Sequence, residues 1–264
     1  MVTTCARMAD RKSAMGKGDA KRLSWRRVGI CLAIIFVALW LVYPLAMHVV
    51  AWDMARREAR DASASIVPRG LPNTGVADLK DGEEVSTFGY VIDVPWKVLK
   101  RSDWKTGSRL TFGNGTEVAI FDVKGDAVGL NTLKKSTPSE AAASRSLYGK
   151  LATGSRYEWL QAELDASPSD VSFWRSSNSN VRAWVFMMQK NADMQKAKVV
   201  YSVAAGGMHG FQIGDPGQPV SPVMLRLFDA KDREIWMILR PAQNGTGFTQ
   251  EQINAMMASM RPAE

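Results

Sequence analysis

The chain has 264 residues, of which 46% are hydrophobic and 23% charged, and its formal net charge is +8. These fractions exclude a fibrous or disordered chain and allow one globular domain with accessory segments. The positive charge is concentrated in residues 1–52, which hold eight basic and two acidic residues, whereas the rest holds 26 basic and 24 acidic. Nucleic-acid binding needs a concentrated basic face on the folded domain, so the sequence predicts no nucleic-acid partner.

Residues 28–50 form a run of 23 residues that contains no Asp, Glu, Lys or Arg. As a helix, this run would be about 34 Å long, which is enough to cross a hydrocarbon core of about 30 Å. Trp25 and Trp52 flank it, where indole rings prefer the lipid headgroup layers. We therefore predict an uncleaved signal anchor, a single-pass transmembrane helix whose partner is the lipid bilayer.

Basic residues near the two ends of this run predict its orientation. Seven lie between Arg11 and Arg27, against four between Arg56 and Arg69. The excess predicts a cytoplasmic N-terminus and a periplasmic, extracytoplasmic C-terminal domain at the plasma (inner) membrane. The predicted organisation is a basic cytoplasmic tail (1–27), the transmembrane helix (28–50), a juxtamembrane helix and linker (51–80) and the extracytoplasmic domain (81–264).

Between the membrane run and the domain, residues 53–61 favour a helical continuation with opposite charges four positions apart. Residues 63–75 contain two prolines and two glycines and predict a linker. Residues 88–94 then alternate apolar and polar, which is typical of a half-buried strand that ends at Pro95. Segments 110–112 and 118–121 flank Asn114-Gly115 and predict a hairpin, and residues 100–107 form a polar loop.

The middle of the chain carries helix-start signals. Thr137 with Glu140 and Ser155 with Glu158 form predicted capping boxes, and residues 167–170 suggest a short helix. Residues 181–190 fit a helix or a strand equally by pattern, and we favour a helix.

Strand signals return at 198–204, 211–213, 223–228 and 234–239. A last helix begins at the capping box of Thr249 and Gln252, and Phe248 can pack against Ile253. The order of strands, helices, strands and helix predicts an α+β fold with an antiparallel sheet packed with helices.

The final hairpin and C-terminal helix, residues 223–260, together with the strand 88–94 ending in Pro95-Trp96, resemble the PsbP/Mog1-like α/β/α domains. These are small extracytoplasmic or adaptor proteins that mostly bind or assist assembly. The resemblance implies a partner-binding role and no transferable active-site residues.

The sequence contains no serine-hydrolase elbow, phosphate-binding loop, zinc-protease helix or calcium loop. Both cysteines, Cys5 and Cys31, precede the domain, so a cysteine-based metal site is not expected there. Methionines 187, 188, 256, 257 and 260 lie on apolar helical stripes and predict core filling rather than copper binding. We expect no cofactor and no metal.

His209 lies among glycines and is the candidate catalytic base, oriented by Asp215, with Ser202 or Ser221 as nucleophile. Gly206, Gly207 and Gly210 could let the backbone approach a ligand, although glycines around a short strand are ordinarily turn residues. Trp104, in its polar loop, is the candidate exposed binding anchor.

Two functions are thus weighed. The preferred hypothesis is a membrane-tethered binding or assembly module with a protein or envelope partner, which predicts a domain without a convergent polar pocket. The alternative is an extracytoplasmic hydrolase, which requires His209 and Asp215 within hydrogen-bond reach of each other in a cleft.

Overall fold

The computed structural model describes residues 17–72, 74–123, 137–194, 197–216 and 221–263. The chain divides into two units, Met1–Val50 and Ala51–Glu264. Helix α1 (Lys17–Glu58) forms the described part of the first unit and ends in the second.

In the first unit, the whole predicted span 28–50 is helical. Its apolar side chains are exposed where they are described, including Phe36 at 71% and Trp40 at 70%. Within the described chain, Phe36–Glu58 is the one helical stretch that passes a length and composition test for crossing a membrane, with a mean hydropathy of 1.5. The first unit therefore offers one apolar helix that can span a bilayer.

The described residues of the second unit form eleven strands in two sheets. In chain order these are β1 (Arg69–Gly70), β2 (Glu83–Thr87), β3 (Tyr90–Val94), β4 (Val98–Trp104), β5 (Gly107–Phe112), β6 (Glu117–Val123), β7 (Val200–Ala205), β8 (Met208–Ile213), β9 (Val223–Phe228), β10 (Glu234–Arg240) and β11 (Arg261–Pro262). Eight of them form a sheet of order β1-β7-β8-β9-β10-β6-β5-β4, which is antiparallel except for the β1–β7 pair. The other three form an antiparallel sheet of order β11-β3-β2.

Within the part of this unit that the structure describes, four α-helices lie wholly inside it: α2 (Pro138–Tyr148), α3 (Arg156–Asp165), α4 (Ser177–Met194) and α5 (Gln250–Ser259). The predicted capping boxes at Thr137, Ser155 and Thr249 are confirmed, because each side chain accepts from the backbone N–H three residues on. Short 3-10 helices cover Ala62–Ser65, Gly149–Thr153 and Pro168–Asp170. The mixed α and β architecture confirms the predicted class.

Side-chain alternation along the strands places apolar residues on both faces of the large sheet. On β9, Leu225 and Leu227 join the core shared with α5 and the small sheet, whereas Phe228 joins the core shared with α3 and α4. Four of the five stripe methionines are buried as predicted, but Met188 is 41% exposed, because it lies on the outer side of α4. The sheet is thus covered on both faces, and the face under α3 and α4 carries the candidate site.

Three local predictions need correction. The strand predicted for 88–94 begins at Tyr90, because Phe88 and Gly89 take φ angles of 50° and 76° in the turn from β2. Arg233 holds this turn by donating to the Phe88 carbonyl at 2.6 Å. Alternation alone does not reveal a turn inside an apolar stretch.

The predicted linker 63–75 belongs to the second unit and packs within it. Arg69–Gly70 pairs with β7, and Ser63 and Ala64 are buried. Lys190, fully buried on α4, donates to the carbonyls of Ala64 at 3.3 Å and Ala166 at 2.6 Å. Burial lowers the pKa of this lysine to about 8.

The predicted polar loop 100–107 is mostly strand. Residues 98–104 form β4, the last strand of the large sheet, and the turn begins after Trp104. Edge strands carry charged, exposed residues because these oppose pairing with other chains. A strand of this composition therefore resembles a loop in its amino-acid sequence.

Candidate functional site

A cavity of about 530 Å³ lies between α3, α4 and the sheet strands β6, β9 and β10. The preferred hypothesis predicted a domain without a convergent polar pocket, and that part of it is wrong. Charged side chains from two helices and three strands converge here: Arg156, Glu163, Asp193, Asp122, Arg226 and Glu234.

The spacing of each element explains why these side chains meet. On α3, the lining residues share one face of the helix, at positions 156, 159, 160 and 163. On α4, the lining residues follow the same spacing, at positions 189, 192 and 193. On β10, residues 234, 236 and 238 alternate with the core residues and point to the same face. The cavity is therefore built from regular elements rather than from loops.

Its walls are largely apolar and aromatic. They include Leu160 and the rings of Phe121, Trp159 and Trp236. Ala192 lies exposed on α4 at the opening. Such walls favour an apolar or aromatic ligand body.

Arg226 organises the polar side of the cavity. Its Nε donates to Glu234 Oε1 at 2.8 Å, its Nη2 lies 2.7 Å from the same oxygen, and its Nη1 donates to Asp193. The guanidinium carbon lies 4.7 Å from the centroid of the Trp236 ring, whose Nε1 also donates to Glu234, at 2.5 Å. Glu234 is 1% exposed, so this ion pair is shielded from water.

Glu163 is the unusual group. It is 5% exposed, and its Oε1 has no hydrogen-bond partner among the described residues. The pKa of Glu163 is raised to about 8, chiefly by burial and also by the neighbouring carboxylate of Asp193, against the opposing effect of Arg226. Gln189 also presents a buried side-chain oxygen that has no partner in the described chain.

Asp122, at the edge of the cavity, belongs to a separate ion pair. Arg233 donates to both of its carboxylate oxygens, at 3.1 and 2.9 Å. The remaining charged groups that line the cavity in the described chain are three carboxyls, of Glu163, Asp193 and Glu234, and two guanidiniums, of Arg156 and Arg226. The site therefore carries one more carboxyl than it has cations when Glu163 is ionised.

The sequence analysis did not identify these residues, although a signal existed. Arg226 interrupts the otherwise apolar strand 223–228, and Glu163 occupies the same helical face as Trp159 and Leu160. A charge inside a buried pattern indicates a partner in space. Which partner it meets depends on tertiary packing.

The structure does not bring the predicted catalytic pair together. His209 is the second residue of β8, whereas Asp215 follows the last residue of that strand, Ile213. The strand alone separates His209 from Ile213 by about 13 Å. The His209 ring instead packs against Tyr157, with 4.5 Å between ring centroids. Because β8 is extended between His209 and Asp215, the fold gives no support to the hydrolase alternative.

The candidate binding glycines have local structural roles. Gly206 and Gly207 form the β7–β8 turn with φ angles of 60° and 77°, which favour glycine. A Cβ on Gly206 would lie 2.5 Å from the Met257 carbonyl oxygen, and one on Gly210 would lie 2.0 Å from that of Arg226. The close approach is to this chain's own backbone.

Trp104 is 42% exposed, and its ring packs against Phe121, with centroids 5.7 Å apart. A far more exposed ring was missed: Trp174 is 91% exposed, and Phe173 lies between it and Trp52, with ring centroids 5.4 and 5.5 Å away. We call Trp52, Phe173 and Trp174 the aromatic cluster. The adjacent pair Phe173-Trp174 was the available sequence signal.

A comparison with models of known protein families and with curated proteins finds no match to this chain. The cavity and the aromatic cluster therefore carry the functional argument by themselves.

Proposed function

We propose that this chain is a membrane-tethered binding module. Residues 28–50 cross the plasma membrane with the N-terminus in the cytoplasm, and the second unit lies outside. There it binds a small ligand in the cavity formed by α3, α4 and the large sheet. The observation that carries this proposal is the convergence of buried, incompletely partnered polar groups on a largely apolar cavity.

Two observations support the tether. The helix exposes apolar side chains over residues 36–50, which would be unfavourable in water and favourable in lipid. The aromatic cluster includes Trp52, which follows the apolar run by two positions, and indole rings favour the headgroup layer. The basic residues that precede the run support the proposed orientation.

The sequence favoured a protein or envelope component as the partner. The cavity supports a small molecule as the ligand, which such a module could present or sense at the membrane surface. The aromatic cluster is the surface that we assign to the lipid headgroups, since its exposed rings are amphipathic.

The tether is tested by fractionation of the full chain and of a variant that lacks residues 28–50. We expect the full chain to remain in the membrane pellet after alkaline carbonate extraction and the variant to be released, because the variant loses the apolar segment. Protease added to sealed spheroplasts should degrade the C-terminal unit of the full chain. Release of the full chain by carbonate would refute the tether, and protection from protease would refute the orientation.

Ligand binding is tested with 2-phenylethanol as the probe, titrated calorimetrically into the full chain in nanodiscs. Ala192→Trp places an indole at the opening of the cavity, and we expect it to weaken binding at least about tenfold by steric exclusion. Met188→Trp is the matched control, because Met188 is exposed on the same helix and does not line the cavity. Equal binding by both variants would argue against the cavity as the site.

A further inference from the structure

The Arg226 guanidinium is already engaged by two carboxylates of the cavity, whereas two buried acceptor oxygens have no partner among the described residues. Arg226 donates to Glu234 and Asp193, and Arg156 donates to the Val123 carbonyl at 2.7 Å. The buried oxygens without partners in the described chain, Glu163 Oε1 and Gln189 Oε1, are acceptors. A ligand that brings hydrogen-bond donors would satisfy these two oxygens.

The charge balance points in the same direction. Three carboxyls face two guanidiniums once the Asp122–Arg233 pair is set aside. When Glu163 is ionised, one additional positive charge beside Glu163 and Asp193 would balance the site, and an unpaired charge is costly where little water is present.

The surroundings favour an organic cation over a metal ion. No three carboxyl, imidazole or thiol groups in the described part of the chain are placed as ligands of one metal ion. The aromatic rings of Trp159, Trp236 and Phe121 line the same cavity, and such rings attract ammonium groups and pack against apolar bodies.

We propose that the cavity binds a small organic monocation, an ammonium group carried on an apolar or aromatic body, with the ammonium donating to Glu163 and to the oxygen of Gln189. This inference rests on the proposed function, because it assigns a chemical class to the ligand of the same cavity. In the unliganded protein Glu163 carries a proton. In the complex, the ammonium group replaces that proton.

Binding is therefore coupled to the release of a proton. Below the pKa of Glu163, the cation must displace that proton, so its apparent affinity rises about tenfold for each pH unit and levels off above the pKa. The charged groups that face or adjoin Glu163 from the surrounding elements are Arg156 on its own helix, Lys190 and Asp193 on α4, Asp122 on β6, Arg226 on β9 and Glu234 on β10.

The test uses three probes with the same aromatic body: phenethylammonium, 2-phenylethanol and 3-phenylpropanoate. Each is titrated into the full chain in nanodiscs at pH 6, 7 and 8. We expect phenethylammonium to bind at least about tenfold more tightly than the alcohol at pH 8 and to lose about tenfold between pH 7 and 6, with the alcohol unaffected by pH. The carboxylate should bind most weakly.

Glu163→Gln should remove both the preference for the cation and its pH dependence while retaining the alcohol. Glu84→Gln is the matched control, since it removes an exposed carboxylate that pairs with Arg261 outside the cavity. Its binding should equal that of the wild type.

Tighter binding of the carboxylate than of the ammonium, or an unchanged cation affinity in Glu163→Gln, would overturn the inference. Binding of the alcohol without preference for the cation would overturn it too, but would leave the cavity as a binding site. If none of the three probes binds, the inference and the proposed ligand-binding role both fail. Because the probe series and the pH series use the wild type, the result does not depend on the folding of a variant.

Discussion

Replacing Arg226 with methionine is expected to lower the free energy of unfolding of the second unit by about 3 to 5 kcal/mol. The guanidinium neutralises two carboxylates, of Glu234 and Asp193, and Glu234 is 1% exposed. Methionine keeps the apolar stem but leaves these charges without their main partner, and water does not reach Glu234, whereas the Asp193 side chain is 29% exposed. Urea denaturation of the full chain, followed by near-UV circular dichroism, measures the effect.

Arg240→Met is the matched control for this prediction. Arg240 also pairs with a glutamate across neighbouring strands, at 3.8 Å from Glu117, but its side chain is 49% exposed. A solvent-exposed pair contributes little, so a change within about 0.5 kcal/mol is expected. Adding Glu234→Met to Arg226→Met should recover part of the loss, because it removes a buried charge. Equal costs for the two arginine variants would show that the ion pair at the cavity is not shielded from water.

The stability of the wild type is expected to fall as pH rises from about 5 to about 8, by about 1.4 kcal/mol per pH unit relative to Glu163→Gln. The pKa of Glu163 is raised to about 8 from its ordinary value of 4.5, which applies to the unfolded chain. Between these values the folded state holds a proton that the unfolded state has lost, so deprotonation favours unfolding. Below about 4.5 both states are protonated, and above about 8 the penalty is complete.

Glutamine imitates the protonated acid, so the two proteins should have similar stability at pH 5 and diverge above it. Lys190, whose pKa is lowered to about 8, does not interfere, because it is protonated in both states over most of this window. Urea midpoints measured at half-unit pH intervals test the prediction. Parallel curves for the wild type and the variant would mean that Glu163 is ionised and partnered in the folded protein at neutral pH.

Several elements were predictable because their signals are local. A capping box needs only two residues three positions apart, and those at Ser155 and Thr249 begin helices at the predicted positions. The hairpin at Asn114-Gly115 forms with Gly115 at a φ of 84°, although the loop runs over residues 113–116 rather than two residues. These interactions form between residues a few positions apart, so the sequence alone predicts them.

Errors arose where distant residues decide the outcome. Phe88 turns instead of extending, and Arg233, far along the chain, donates to its carbonyl. The prolines and glycines of 63–75 indicate a stretch without regular local structure. They do not reveal that Arg69–Gly70 pairs with the strand β7. The composition of a segment indicates its own tendency to form a helix, a strand or a loop, but not which elements it packs against.

The amino-acid sequence by itself determined the apolar run at 28–50, the helix starts and the mixed α and β class, since each depends on periodicity or on neighbouring residues. Only the tertiary structure decided that Glu163, Asp193, Arg226 and Glu234 meet over 71 positions of chain. Burial and the effective dielectric constant are properties of the packed interior, and they turn an ordinary glutamate into an acid that keeps its proton near neutral pH.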